Sequence, residues 1–313
     1  MASRNGGRVE YTLVWTIENF SYAWHKIGEK LISPVFVTHK MDSTSWVMEL
    51  FPRGTITGDY ISIFLRRLED RSFKNCKVVY EFVATSSGGS IPCFRENCSD
   101  YQSGQRFGCH LFMRRDEIES ENQRLNGDIL TMNCRMRLCE EVYHDFVAES
   151  FAKTRILVER IDLSRHFLKN IKYESIFVQR MSDSLILMII RLRLDKKRNL
   201  VIEFIPYDCC QHLKYSSLRL TLDDMRTSKR LYEYSKDICD VFMPLSLDVP
   251  EYALYLSQRL AESSNYPSIR LDFELIFCTG MEHRRSEKIE SQDSGENRNY
   301  GLREYRNVLN FRL

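Results

Sequence analysis

The sequence predicts an all-β protein made of two antiparallel β-sandwich domains in tandem, the second diverged from the first. Three observations favour this fold class. Short runs of alternating apolar and polar residues recur along most of the chain, with turn sequences between them. The second half repeats the first weakly, at an offset of about 140 residues. The length of 313 residues is sufficient for two hydrophobic cores.

The first domain is predicted over residues 9–140, after a disordered N-terminus at 1–8. Its strands are expected at 11–17, 35–38, 46–51, 60–66, 77–84, 110–113 and 129–138. Trp15 and Trp46 lie in two of these strands with apolar alternation, so both are predicted to lie in the core. Pro52-Arg53-Gly54 and the run 86–90 are turn sequences, and residues 115–118 are expected to form a short helical turn.

A connector is predicted at 141–153, where mixed apolar and acidic residues favour a helix or a turn over a free linker. The second, diverged sandwich is predicted over 154–280. Five of its segments match segments of the first domain: 156–162 with 13–18, 175–178 with 34–37, 199–204 with 59–64, 242–245 with 112–115, and 269–275 with 129–135. The alternative is that two unrelated sandwiches share this alternation.

A tail at 281–313 is predicted to be disordered, because it is charged and polar and has no aromatic residue before Tyr300. Leu302, Tyr305, Val308 and Leu309 fall at helical spacing, so a short amphipathic helix is expected at the end of the tail.

Charge and hydropathy argue against nucleic-acid and membrane functions. The chain carries 45 basic and 43 acidic residues, a net charge of +2, so no general surface for nucleic acid or acidic lipid is expected. The longest apolar run, 185–190, is far shorter than the roughly 20 residues of a membrane span. The N-terminus has no apolar core of a signal peptide. We expect an intracellular protein with reduced cysteines, and these features do not distinguish nucleus from cytoplasm.

The ten cysteines do not form a metal signature. Cys93 and Cys98, Cys134 and Cys139, and Cys209-Cys210 with His212 lie close in sequence, but no second ligand pair completes a structural zinc set. Cys134 lies within an alternating strand and is predicted to be a small buried residue. No cofactor is expected.

No local signature of an enzyme is present. The chain has no nucleophile elbow, phosphate-binding loop, dinucleotide glycine motif or His-Glu-x-x-His run. Cys109 and His110 are adjacent in a strand and are expected to point to opposite faces, so they would not act as nucleophile and base. We therefore predict a protein that is not an enzyme.

Three segments carry a family resemblance: Trp-Thr-Ile-Glu-Asn-Phe-Ser at 15–21, the run 46–54, and the run 59–64. Together they resemble the opening of a MATH domain, the TRAF-type β-sandwich that captures peptides. The resemblance covers about residues 10–139 and is strongest to the speckle-type POZ protein and TD-and-POZ family, in which this module precedes a BTB/POZ domain. It implies that an extended substrate peptide lies beside an edge strand, with its apolar residue in an aromatic pocket.

The resemblance also assigns a binding site. Gln105, Arg106, Phe107, Gly108 and Cys109 stand where the family has Lys-Asp-Trp-Gly-Phe, and the implied pocket aromatics are Phe64, Tyr80, Tyr101 and Phe107. Loss of the family's aspartate and second aromatic residue should change which peptide fits. Tyr101 and Phe107 lie in polar sequence and are expected to be exposed. For Phe64 and Tyr80, a place in the sandwich core remains the alternative.

The resemblance implies a non-enzymatic substrate-recognition adaptor, linked to cullin-RING ubiquitin ligases and proteasomal degradation. Its expected partners are extended peptide segments of substrate proteins and, through family members, cullin ligase components. We recognise no BTB segment in the sequence. The alternative is therefore a decoy or scaffold that binds peptides or partners without recruiting a ligase.

Overall fold

The computed structural model describes residues 9–41, 43–69, 74–86, 89–118, 128–139, 146–166, 173–180, 184–196, 199–207, 214–225, 228–238, 244–249 and 269–290. The chain divides into two compact units. Unit 1 comprises Met1–Ile156 and Glu282–Leu313, and unit 2 comprises Leu157–Met281. Strands make up most of the described residues, which confirms the predicted all-β class.

Unit 1 contains two sheets. Its strands are β1 (Val9–Glu18), β2 (Leu31–Ile32), β3 (Phe36–Thr38), β4 (Thr44–Phe51), β5 (Tyr60–Arg67), β6 (Cys76–Ser86), β7 (Gly89–Tyr101), β8 (Arg106–Arg114), β9 (Ile129–Leu138) and the first part of β10 (Phe146–His166). One sheet has the order β7-β6-β9-β1-β10, and the other has the order β2-β4-β5-β8 with β3 also paired to β4. Residues 115–118 are helical, as predicted.

Side chains from both sheets of unit 1 meet in its core. The Trp46 ring contacts Tyr101, and Phe82 contacts Phe112, each pair in an edge-to-face arrangement. Trp15 and Trp46 are fully buried, which confirms their predicted core positions. The Trp15 indole N–H donates to the Thr154 hydroxyl at 2.9 Å, so the indole is buried without losing a hydrogen bond.

The turn after β1 explains why the opening motif contains Asn and Ser. Asn19 adopts a left-handed conformation with φ of 60°, which asparagine tolerates better than most residues. Its side-chain amide donates to the Ile156 carbonyl at 2.8 Å. Ser21 donates through its backbone N–H and its hydroxyl to the Asp128 carboxylate, at 2.8 and 2.6 Å. The turn is therefore fixed by long-range hydrogen bonds.

The prediction of a helix or turn in the connector is wrong for residues 146–153. These residues are the start of β10, which pairs in parallel with β1 from Val9↔Phe146 to Glu18↔Arg155. Ala148 and Ala152 face inward and are buried, so the segment has the alternation of a strand. Acidic and small residues obscured that pattern in the sequence. The pairing of β10 with β1 is parallel, whereas the other strand pairs described in this unit are antiparallel.

Unit 2 repeats the strand order of unit 1. Its strands are the second part of β10, then β11 (Tyr173–Gln179), β12 (Ile186–Leu194), β13 (Leu200–Pro206), β14 (Tyr215–Asp224), β15 (Lys229–Ile238), β16 (Leu245–Val249) and, as far as Met281, β17 (Ile269–Glu290). The last residues of β17, from Glu282, belong to unit 1. The order β15-β14-β17-β10 corresponds strand for strand to β7-β6-β9-β1, and β11-β12-β13-β16 corresponds to β3-β4-β5-β8. A core of buried aliphatic and aromatic residues, including Phe204 and Phe273, fills this unit.

The last described strand runs into the predicted tail. Because β17 continues to Glu290, the prediction of disorder is wrong for residues 281–290. Opposite charges two residues apart pair along this strand, as Arg284 does with Glu282 at 2.7 Å, so its charged composition does not prevent an extended structure. The predictions for 1–8 and for a helix near the C-terminus fall outside the described residues.

Candidate functional site

Strand β8 is the last strand of the order β2-β4-β5-β8, so one of its edges carries no partner among the described strands. It pairs with β5 from Tyr60↔Arg114 to Arg66↔Arg106, with a shift of register between Ile61 and Ile63. An edge strand presents unpaired N–H and C=O groups to which an extended segment can add. This edge carries Arg106, Phe107, Gly108 and Cys109, four of the residues predicted for the site.

Two predicted pocket aromatics lie instead in the core. Tyr101 is fully buried and Tyr80 is 2% exposed, so the expectation that Tyr101 is exposed is wrong. The polar sequence around Tyr101 forms the end of β7, which is paired to β6 by Cys76↔Tyr101, and this pairing turns the ring inward. Burial raises the pKa of both phenols. The Tyr101 ring packs against Phe107 on β8, and the Tyr80 ring packs against Tyr101.

Phe107 and its neighbours form the accessible part of the edge. Phe107, Gly108 and Cys109 are each partly exposed, and the Phe107 ring meets Tyr101 edge to face at 4.9 Å between centroids. A Cβ atom at position 108 would lie 2.1 Å from the Ile63 carbonyl oxygen and 2.6 Å from the Phe64 Cα. Gly108 is therefore required by the close approach of β8 to β5.

Gln105 stabilises the turn that precedes β8. Its backbone N–H donates to the Gln102 carbonyl at 3.1 Å, and its side-chain oxygen accepts from the Gln102 N–H at 3.0 Å. Gly104 between them has φ of 81°, the left-handed conformation that favours glycine. Buried Arg67 donates to the Tyr101 carbonyl at 3.0 Å, and its N–H donates to the Gln105 carbonyl. Gln105 is thus a residue of the turn, anchored from β5.

The outer face of the β2-β4-β5-β8 sheet holds a buried carboxylate that the sequence did not reveal. Glu49 on β4 is fully buried and is contacted by Lys30 at 2.6 Å, Arg106 at 2.9 Å and Arg66 at 3.3 Å. Burial opposes ionisation of Glu49, but the hydrogen bonds from these three cations outweigh it and lower its pKa. Lys30, Arg66 and Arg106 are called the basic cluster below.

Aromatic rings lie beneath this cluster. The Arg106 guanidinium stands over the rings of Phe64 and Phe51, at 5.0 and 5.5 Å from their centroids. Phe64 is only 5% exposed, so the alternative that it is buried is correct. Its ring nevertheless lies beneath the Arg106 guanidinium on the outer face of the sheet. His110 packs edge to face on Phe64. Its Nδ1 is hydrogen-bonded to the Thr55 hydroxyl at 2.6 Å.

The structure places Cys134 in the core and Cys98 and Cys139 at the surface. Cys134 is fully buried in β9, which confirms its prediction, and burial raises its pKa. The sulfur atoms of Cys98 and Cys139 lie 3.3 Å apart at the surface. Within the described ranges, no group of three or more His, Cys, Asp or Glu side chains could hold a metal ion. In the same ranges, no helix is both long and apolar enough to cross a membrane.

Comparison with known proteins defines the class of the first sandwich. Residues 12–136 match the family model described as the MATH domain. This range covers β1 to β9 almost completely and includes Glu49, β8 and the basic cluster. The first sandwich is therefore similar to MATH domains, as the opening motif predicted.

The relatives are of the TD-and-POZ type. The chain is 31% identical to mouse TD and POZ domain-containing protein 5 over 139 residues, which are 43% of this chain and 41% of that protein. It is 29% identical to mouse TD and POZ domain-containing protein 2 over 134 residues, 41% of this chain and 36% of that protein. The match thus spans about two fifths of each relative's length.

Solved structures add little to this picture. A crystal structure of Parabacteroides merdae β-glucuronidase aligns with 79% of this chain and 28% of that chain, at 9% identity and a TM-score of 0.17. At that score the likeness carries no argument about fold or function.

Proposed function

We propose that the chain is a non-enzymatic adaptor that captures an extended peptide along β8. The observation that carries this proposal is the open edge of β8, which presents partly exposed Phe107, Gly108 and Cys109. A peptide strand added there would gain backbone hydrogen bonds, and alternate side chains would reach Phe107 on one face and Arg106 on the other.

The arrangement of the site favours a preformed surface. Phe107 rests on buried Tyr101, and Arg67 and Gln105 fix the turn before β8. Side chains held in this way lose little conformational entropy when a peptide binds, which improves affinity. Tyr80 and Tyr101 contribute as support, and Phe107 contributes the apolar contact.

Selection of a random peptide display library against the full-length chain tests the proposal. We expect the library to yield binders, and Phe107→Ala to weaken them about tenfold or more, as loss of a central aromatic contact does. Phe177→Ala is the matched control, because Phe177 is an exposed phenylalanine on β11 of unit 2. Equal loss in both variants, or none in Phe107→Ala, would remove β8 as the binding edge.

We further propose that captured proteins are passed to a cullin-RING ubiquitin ligase and degraded by the proteasome. Support for this step comes from the similarity to TD and POZ domain-containing proteins. Pull-down of a recombinant cullin-RING core by the full-length chain tests it. Capture supports the ligase adaptor, whereas peptide binding without capture would assign the chain a decoy or scaffold role.

A further inference from the structure

The basic cluster has more positive charge than its own carboxylate neutralises. Three cations surround Glu49, and among the described residues Glu49 is the one carboxylate that pairs with them. One negative charge against three positive charges leaves the basic cluster with two positive charges in excess. An arginine has five N–H donors and a lysine has three, and the contacts with Glu49 use only part of them. The three side chains are 29% to 44% exposed, so part of each is accessible from solvent. The Arg66 Nε is the exception, because it is buried without a hydrogen-bond partner among the described residues.

The cluster lies within reach of a peptide on the open edge. Arg106 belongs to β8 itself, and a residue directly opposite it on an added strand would have its Cβ about 4.5 to 5.5 Å away on the same face. The next outer-face position on β8 is Gly108, which has no side chain to block the approach. A ligand side chain on this face would therefore meet Arg106 first and Arg66 behind it.

The Arg106 guanidinium is also held in place. It is packed over Phe64 and Phe51 and is hydrogen-bonded to Glu49, so its orientation is fixed before a ligand arrives. An ion pair with a fixed and partly desolvated arginine is worth more than a pair between two mobile surface side chains.

We propose that β8 selects peptides with an anionic side chain opposite Arg106, either a carboxylate or a phosphate monoester. This inference rests on the proposed peptide binding and names the class of peptide. The rings of Phe64, Phe51 and Phe107 would contact neighbouring apolar residues of the peptide. The basic cluster would bind its negatively charged side chain.

Peptides selected against the full-length chain test this specificity. We expect an excess of Asp and Glu at one position of the binders, and about tenfold weaker binding when that residue is replaced by Gln, as loss of a charged hydrogen bond implies. The same peptide with phosphoserine at that position distinguishes a preference for phosphate from one for carboxylate. Unchanged affinity for Glu, Gln and phosphoserine peptides would overturn the inference and leave the binding function intact.

Variants of the protein give a second test. Arg106→Gln should abolish the difference between Glu and Gln peptides, and Glu49→Gln should increase it because it removes the internal competitor for the cations. Arg114→Gln is the matched control, since Arg114 lies on the same strand but is paired with Asp116 at 2.7 Å. A difference that persists in Arg106→Gln would overturn the inference. Failure of every peptide to bind the wild-type chain would remove the proposed function as well.

Discussion

Tyr101 and Phe107 meet edge to face with their ring centroids 4.9 Å apart, and they lie on opposite sides of the boundary between core and surface. Tyr101 is fully buried against Trp46 and Tyr80, whereas Phe107 is partly exposed on the edge strand. The pair thus connects the core of the first sandwich with its candidate binding edge.

Alanine substitutions of these two residues should separate stability from binding. Tyr101→Ala removes a fully buried ring and should lower the free energy of unfolding by about 3–5 kcal/mol. Phe107→Ala removes a partly exposed ring and should cost about 1–2 kcal/mol, while weakening peptide binding. Urea unfolding of both variants measures the difference. Equal destabilisation would mean that Phe107 is a core residue and not a surface contact.

Replacement of Gly108 should disrupt the pairing of β8 with β5. In Gly108→Ala the new methyl group would overlap backbone atoms of Ile63 and Phe64, so we expect a loss of roughly 3 kcal/mol or more and rapid amide exchange in β8. Gly28→Ala is the control. Gly28 has φ of 84° but no atom within 4 Å of the added Cβ, so it should cost only about 1 kcal/mol.

The hydrogen bond between Trp15 and Thr154 should be measurable by a double-mutant cycle. Trp15→Phe and Thr154→Val each leave a buried polar partner unsatisfied, and each should cost about 1–3 kcal/mol. The double variant should cost less than the sum of the two by about 1 kcal/mol. Strictly additive losses would argue against contact between these side chains, and with it against the parallel pairing of β1 and β10.

Acid should destabilise unit 1 through His25. Burial is the main reason that its pKa falls from 6.5 to about 4, and Arg284 lowers it further while Glu29 opposes the shift. Between these values the unfolded chain binds a proton that the folded chain does not, so stability is lost as the pH falls from 6.5 towards 4, by at most roughly 3 kcal/mol.

Unfolding free energies measured across that range, for the wild type and for His25→Asn, check this prediction. The variant should have a shallower slope because position 25 no longer titrates. Identical slopes in the two proteins would show that His25 is protonated in the folded state at its ordinary pKa.

The sequence predicted the elements that depend on local alternation. Trp15 and Trp46 were placed correctly in the core because each lies in a run with a clear two-residue period. The repeat was also detectable, since β5 and β13 both carry an apolar run interrupted by one polar residue, Ser62 in β5 and Glu203 in β13. The strand β7 was missed because Gly, Pro and polar residues dominate it, and its pairing with β6 supplies the order that its own composition lacks.

The candidate site was harder to predict because its parts are distant in sequence. Glu49 alternates with apolar neighbours and resembles an ordinary solvent-facing residue. Lys30, just before β2, and Arg106, at the start of β8, nevertheless cover it. Only the strand order brings these residues together. The same pairing buried Tyr101, whose polar neighbours had indicated a loop.

Backbone amide exchange of the full-length chain, measured with and without a selected peptide, locates the binding edge. We expect the peptide to slow exchange along β8, between Arg106 and Leu111, because an added strand would hydrogen-bond to that edge. Slowed exchange elsewhere, with β8 unchanged, would rule out β8 as the edge that binds the peptide.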